Sequence, residues 1–428
     1  MKSQRMVILS ATIGAVLVAA SLAGCSAGST TNTVTTLNWW TRVGATQKQL
    51  AADFNTSHKD IKIKITQISD DQYVNKVGTG VKSSNGPDVL DFDDANAPLF
   101  GATRILTDIT SRVDKLTFKS SLNPGMMKLG TYDKKNFSVP FNAGPSILLY
   151  NKSLFEKAGL PDRAPADWAE IMKDAQAVRA LGSDIYGFDI PGSCGGCLSY
   201  SAQPLMWAGG DQTMTAANKD QKTTYSTSSA VKKTFEFYRQ LWHSGVVNPK
   251  GQTEAGATWG ADFDAGKVGI ILAGSWLIAP AEKAGYKIGY GVIPGENGSF
   301  STFAGGDNIG ISSGSKKQDA AWAFVSWLLE KKQQIPWAAA QSVPVRSDVV
   351  NADFKKKYPV AALQITASTK SNSPDSIATN ALQLSATSPW VAAFQGIVYE
   401  GRDPSTVLVK TDSDSKALIK QAYEQVVQ

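Results

Sequence analysis

An α/β architecture, with mainly parallel sheets flanked by helices, follows from the order of elements along the 428 residues. Strand-like and helix-like stretches alternate from residue 34 onward, and the alternation continues past the usual size of one sheet. At about 150 residues per domain, the length corresponds to two or three lobes. A composition of 42% hydrophobic and 19% charged residues supplies large cores, which excludes disordered, collagen-like and disulfide-framework classes. Lys and Arg number 43 against 37 Asp and Glu, a net charge of +6. The basic residues are scattered, so nothing marks a nucleic-acid surface.

The first folded stretch reads β-α-β-α-β. Val34–Trp39 is strand-like and runs into Trp40 and Thr41. Thr46 and Gln49 have capping-box spacing, with Leu50 and Phe54 following at i, i+4. Ile61, Ile63 and Ile65 alternate with Lys62, Lys64 and Thr66, the pattern of a half-buried strand. A helix over roughly Asp71–Val81 leads through a Ser-Ser-Asn-Gly-Pro turn to a strand Asp88–Phe92. In such sheets ligands occupy the crevice beyond the carboxyl ends of the strands. Trp40-Thr41 and Asp93-Asp94 therefore face one cleft.

Further along, two prolines and a glycine interrupt the extended run Phe137–Tyr150, which reads as a crossover between lobes. Asp167 caps a helix beginning at Trp168, and Val231–Trp242 carries Phe235, Tyr238, Leu241 and Trp242 at core spacing. A strand Val268–Leu272 is followed by Gly274-Ser275-Trp276. Tyr286–Ile293 and Ser301–Ile311 are extended, Gln318–Leu329 is an amphipathic helix, and the tail is helical and loop-rich.

The amino terminus is a targeting segment. Lys2 and Arg5 precede an apolar run from Met6 to Ala20, shorter than the about 20 residues that span a membrane. It ends in Leu22-Ala23-Gly24-Cys25, which resembles the bacterial lipobox, where the cysteine is lipidated and becomes the first residue. The resemblance implies a signal peptide over 1–24, a lipid on Cys25 and a small polar tether to residue 36. The protein is then lipid-anchored on the extracytoplasmic face of the cell membrane. In that oxidising compartment Cys194-Gly195-Gly196-Cys197 reads as a structural disulfide across a glycine-bent loop. A thioredoxin-like redox pair is the alternative, set behind because the motif opens no evident helix after a strand. Zinc needs two more ligands, and His58 and His243 lie in no ligand spacing.

Over nearly all of residues 37–428 the chain resembles the carbohydrate-type extracytoplasmic solute-binding proteins of ATP-driven importers, the class that includes maltose-binding protein. The resemblance lies in an ordered series: Gly86-Pro87-Asp88-Val89, Val139-Pro140-Phe141-Asn142, Tyr150 to Gly159, and Trp207-Ala208-Gly209-Gly210. Gly274-Ser275-Trp276, Gly305-Gly306, Ser315 to Phe324 and Val343 to Arg346 complete it. It implies a two-lobed periplasmic-binding-protein-like fold of type II that closes on its ligand, a permease partner, no cofactor and no metal. Carried over, the crossings fall near Asn142–Pro145, Phe300–Gly305 and residues 330–340. The lobes are then 37–142 plus 304–335, and 143–303 plus 336–428. Asp307 departs from the relatives, which often place an aromatic residue after the two glycines.

A sugar offers apolar ring faces and rings of hydroxyls, and its site needs aromatic platforms and planar polar side chains. Trp168, Trp242, Trp322 and Trp327 sit at helical spacing and read as core. Trp40 and Trp276 follow strands and read as platforms, with Trp207 and Trp259 behind them. Thr41, Asp93, Asp94, Asn142 and Asp307 are the polar candidates. Gly306 lets backbone approach a ligand closely, and Arg346 reads equally as a ligand contact or a structural ion pair. A monomeric, non-enzymatic receptor is the leading expectation. The rivals are an anchored glycoside hydrolase, which needs two separated carboxylates, and a receptor for peptide or glycerol phosphate, which needs a basic pocket.

Overall fold

The computed structural model describes residues 34–42, 44–340 and 342–426. The signal segment, Cys25 and most of the tether lie outside the described residues. Two principal sheets organise the chain. The first has the strand order Ile61–Gln67, Thr35–Thr41, Val89–Asp93, Gly306–Ile311, Ser138–Ala143. Its first three strands are parallel, and Gly306–Ile311 runs antiparallel to both neighbours. The second has the order Ile288–Gly291, Ile147–Asn151, Val268–Ala273, Tyr186–Phe188. There Ile147–Asn151 is the strand that opposes its two neighbours. Each sheet thus carries one reversed strand, and in the first it is a late segment of the chain inserted between two early ones.

Side-chain alternation explains why both faces of each sheet are covered. In Val268–Ala273 every residue is buried. Ile270 and Leu272 enter one core, with Leu148 and Tyr150 of the neighbouring strand. Ile271 and Ala273 enter the opposite core with Ile147 and Leu149. Strand residues of period two feed two helical layers in this way, at about 1.5–3 kcal/mol for each large apolar side chain buried. Ile61–Gln67, an edge strand, buries only Ile63 fully, and its lysines face outward.

Asp167 does cap its helix, accepting a bond from the amide of Glu170 at 2.8 Å. Trp168 and Trp327 are buried as core residues, and Trp242 and Trp322 pack against cores from partly exposed positions. Thr46 is not a cap: the helix Ala45–Ser57 begins after Gly44 without a side-chain capping bond. The Cys-Gly-Gly-Cys segment also differs from expectation. It is no free-standing loop but the start of the helix Gly195–Ala208, after the strand Tyr186–Phe188. Cys194 and Cys197 are disulfide-bonded there.

The first two passages between sheets are Gly144-Pro145-Ser146 and Ala304-Gly305. The third lies later than residues 330–340. Trp337, Val343, Val345 and Phe354 remain in the core of the first sheet, and the amide of Val343 bonds to the carbonyl of Ala143. The helix Pro359–Ala367 makes the passage, with Ala361 in the first core and Val360 and Leu363 against the second. Apolar burial decides this point, and the loops around 340 carry no composition signal for it.

Candidate ligand-binding site

The carboxyl ends of the first sheet bring together one cation and a group of carboxylates. Arg42 follows the strand Thr35–Thr41 directly, and its guanidinium lies 3.6 Å from Asp93 and pairs closely with Asp307. Asp307 also accepts a 2.7 Å bond from the side-chain amide of Asn142. The reversed strand makes this meeting possible, because Asp307 stands opposite Asp93 on one side and Asn142 on the other. Asp93 accepts from the amide of Ala95 at 3.0 Å. Asp94 is fully buried. Burial, then the charges of Asp93 and Asp307, raise its pKa well above the ordinary carboxylate range.

Opposite this polar group stands an aromatic row from the second lobe. Tyr200, on the helix Gly195–Ala208, lies 5.4 Å from Trp276, 6.1 Å from Trp259 and 5.5 Å from Phe303 between ring centroids. Its hydroxyl donates to the carbonyl of Gly144 at 2.5 Å. Its pKa is raised by burial and then by the nearby charges of Asp93 and Asp94. Residues of both lobes therefore converge on this hydroxyl. Trp276 is 48% exposed although its ring lies against Tyr200 and Trp259, so part of its aromatic surface is open to solvent.

Several expected site residues are placed elsewhere. Thr41 is buried inside the strand and donates to Asp91 at 3.1 Å, so it faces no cleft. Trp40 packs against the core that holds Tyr73 and Phe92. Its ring occupies the space where a Cβ at residue 80 would sit, 2.3 Å away, so Gly80 is required for its seat. Gly306 has φ +120°, and a Cβ there would stand 2.3 Å from the carbonyl oxygen of Asn142. The close approach it permits is between two paired antiparallel strands of the first sheet. Arg346 is structural: it donates to Asp348 at 2.9 and 2.7 Å and to the carbonyl of Leu329 at 3.0 Å. It also lies 3.8 Å over the ring of Phe118. Trp207 is buried beside Phe303 and lines a separate hollow of about 480 Å³ with Gln212, Ser299 and Lys370.

Asp93, Asn142 and Asp307 are thus brought together around Arg42, Asp94 is buried beside Asp93, and Trp276 lies against Tyr200 in the aromatic row. Arg42 and Tyr200 were missed. Arg42 continues the strand end that singled out Trp40, and Tyr200 lies two helical turns before Trp207 on the same face. Both signals were in the sequence.

A putative binding protein of Brucella abortus is 27% identical over 241 residues, 55% of this chain and 57% of that protein. The match thus spans little more than half the length of that relative. The diacetylchitobiose binding protein DasA of Streptomyces coelicolor is 25% identical over 352 residues, 79% of this chain and 80% of that one. The sn-glycerol-3-phosphate-binding periplasmic protein UgpB of Agrobacterium fabrum is 24% identical over 313 residues, 68% and 69% of the two chains. A solute-binding protein of an ABC transporter from Thermotoga lettingae, solved with α-D-tagatose, shares the fold. Its TM-score is 0.79 at 20% identity, covering 90% of this chain and 100% of that one. The bacterial extracellular solute-binding protein family matches residues 49–362, and the chain belongs to that family.

Proposed function

We propose that this protein captures a carbohydrate between its two lobes and delivers it to the transmembrane permease of an ATP-driven importer. The lobes are residues 34–143 with 304–358, and 144–303 with 359–426. Closure about the crossings brings contacts from both lobes to one ligand, which favours the closed state by the difference in contact energy. The protein itself is held by lipid on Cys25 as a monomer. No turnover of the ligand is expected.

The exposure of Trp276 carries the reading. An aromatic face seated on Tyr200 and Trp259 suits the apolar face of a sugar ring, and Asp93 and Asn142 offer planar acceptors and donors to its hydroxyls. A phosphate suits the same place poorly. Arg42 is already shared by Asp93 and Asp307, so an added dianion meets a negative surplus. A hydrolase needs a free acid and base on opposite sides of a bond, and Asp307 is held by both Arg42 and Asn142.

Calorimetric titration with mono- and oligosaccharides and with sn-glycerol 3-phosphate tests this. Saturable sugar binding is expected, and binding of the phosphate alone overturns the reading. For the anchor, Cys25→Ser is expected to move the protein from the membrane fraction to the medium.

A further inference from the structure

The Cys194–Cys197 bond has features that a purely structural disulfide does not need. It closes a loop between residues three apart in sequence, and so short a loop restrains the unfolded chain little. Its helix is held independently, with Leu198, Ala202 and Leu205 fully buried in the core of the second lobe. Cys197 is 7% exposed, whereas Cys194 is only half-buried. Between them Gly196 has open space where a side chain would stand. On another side the backbone of Gly256 lies beside both sulfurs, since a Cβ there would be 3.3 and 3.7 Å from them. Gly196 thus sets no side chain over the bond, and Gly256 meets it with backbone alone.

We propose that this bond is an exchange-active disulfide, attacked at Cys194 by an external dithiol, and that its reduction is felt at the aromatic wall of the cleft. The amide of Cys197 donates to the Cys194 sulfur at 3.1 Å, at the start of a helix of 14 residues. Backbone amides at a helix N-terminus and a Cys-X-X-Cys spacing both favour the thiolate. Two carboxyls stand near the motif. Asp189 lies just before the motif, and Glu254 is tied to it by the amide of Ser193, which donates to the Glu254 carbonyl at 3.0 Å. Burial pushes both carboxyls toward their protonated forms.

The chemistry balances as follows. One thiolate of the dithiol attacks the Cys194 sulfur; the Cys194–Cys197 bond breaks, and Cys197 leaves as a thiolate that takes up a proton. The second thiol of the reagent then attacks the mixed disulfide at its own sulfur and releases Cys194 as a thiol. Two electrons pass to the protein and the dithiol becomes a cyclic disulfide. The wall responds because Tyr200 sits on the helix that Cys194 caps, and Trp259 lies three residues beyond Gly256.

The test uses the full chain carrying Cys25→Ser, without denaturant and without any sugar, so its outcome is independent of the ligand assignment. After treatment with dithiothreitol, alkylation and mass spectrometry should find two modified cysteines, while circular dichroism retains the folded spectrum. Tryptophan emission should shift on reduction. In separate variants, iodoacetamide should label Cys194 in Cys197→Ser at least tenfold faster than Cys197 in Cys194→Ser. A bond that yields only after the protein unfolds overturns exchange activity, as does equal labelling. An emission spectrum that does not move on reduction overturns the link to the cleft.

Discussion

Tyr200 donates its phenolic hydrogen to the carbonyl oxygen of Gly144 across 2.5 Å. A helix of one lobe is thereby fastened to the chain where it first passes between lobes. The same ring touches Trp276, Trp259 and Phe303, so the bond also fixes the aromatic wall. The aromatic wall and the crossing thus meet in one side chain.

Tyr200→Phe separates these two roles. The ring contacts survive and one hydrogen bond is lost, leaving the Gly144 carbonyl to find another donor. Denaturant melts should show a loss of about 1 kcal/mol. Affinity for the best sugar should fall by less than in Tyr200→Ala. Equal affinity losses in the two variants would place the hydroxyl, not the ring, at the ligand.

The two tryptophans that look alike in sequence should behave oppositely. Trp276→Ala should cost about 1–4 kcal/mol in sugar binding and little stability, because half of its surface already faces solvent. Trp40→Ala empties the space above Gly80 and should cost about 3 kcal/mol of stability, with affinity of the folded protein nearly kept. Paired calorimetry and melts decide it, and matching profiles for both variants refute the assignment.

Arg346→Ala should destabilise without weakening ligand binding. Its guanidinium serves Asp348 and the carbonyl of Leu329 and covers Phe118. Loss of charged hydrogen bonds of this kind costs about 1.5–3 kcal/mol each in buried settings, with less from the partly exposed Asp348 side. A drop in sugar affinity at unchanged stability would return Arg346 to the site.

The acid pair Asp189 and Glu254 gives a stability that declines with pH. Burial, then the neighbouring Asp189 charge, pushes Glu254 up to about 9, against about 4.3 in an unfolded chain. Between those values the folded state holds more protons than the unfolded state, so unfolding free energy falls as pH rises. The contribution is complete below the unfolded value and is lost as pH passes through the folded one. Melting temperatures between pH 5 and 9 should therefore fall less in Glu254→Gln than in the unsubstituted protein. Parallel curves would show that the pair does not titrate across this range.

Much of the chain is determined locally and is legible for that reason. The isoleucines of Ile61–Gln67 alternate, Asp167 supplies its own capping oxygen, and Trp168 and Trp327 fall on the apolar faces of their helices. Each of these depends on neighbours a few residues away, where periodicity and capping chemistry act. The ordered motifs likewise carry the family, since they are local in the chain. Tertiary structure decided what those patterns leave open. Trp40 and Trp276 both lie at strand ends, but Gly80, forty residues on, opens a seat for one, while the other rests on Tyr200 and stays half in water. Arg346 sits in a stretch that the family resemblance singles out, yet Asp348, Leu329 and Phe118 claim it. Asp307 meets Arg42 and Asn142 only because a late strand inserts, reversed, between two early ones. Side-chain direction at a strand end is set by whichever distant group fills or vacates the space beside it, and sequence spacing carries no record of that partner.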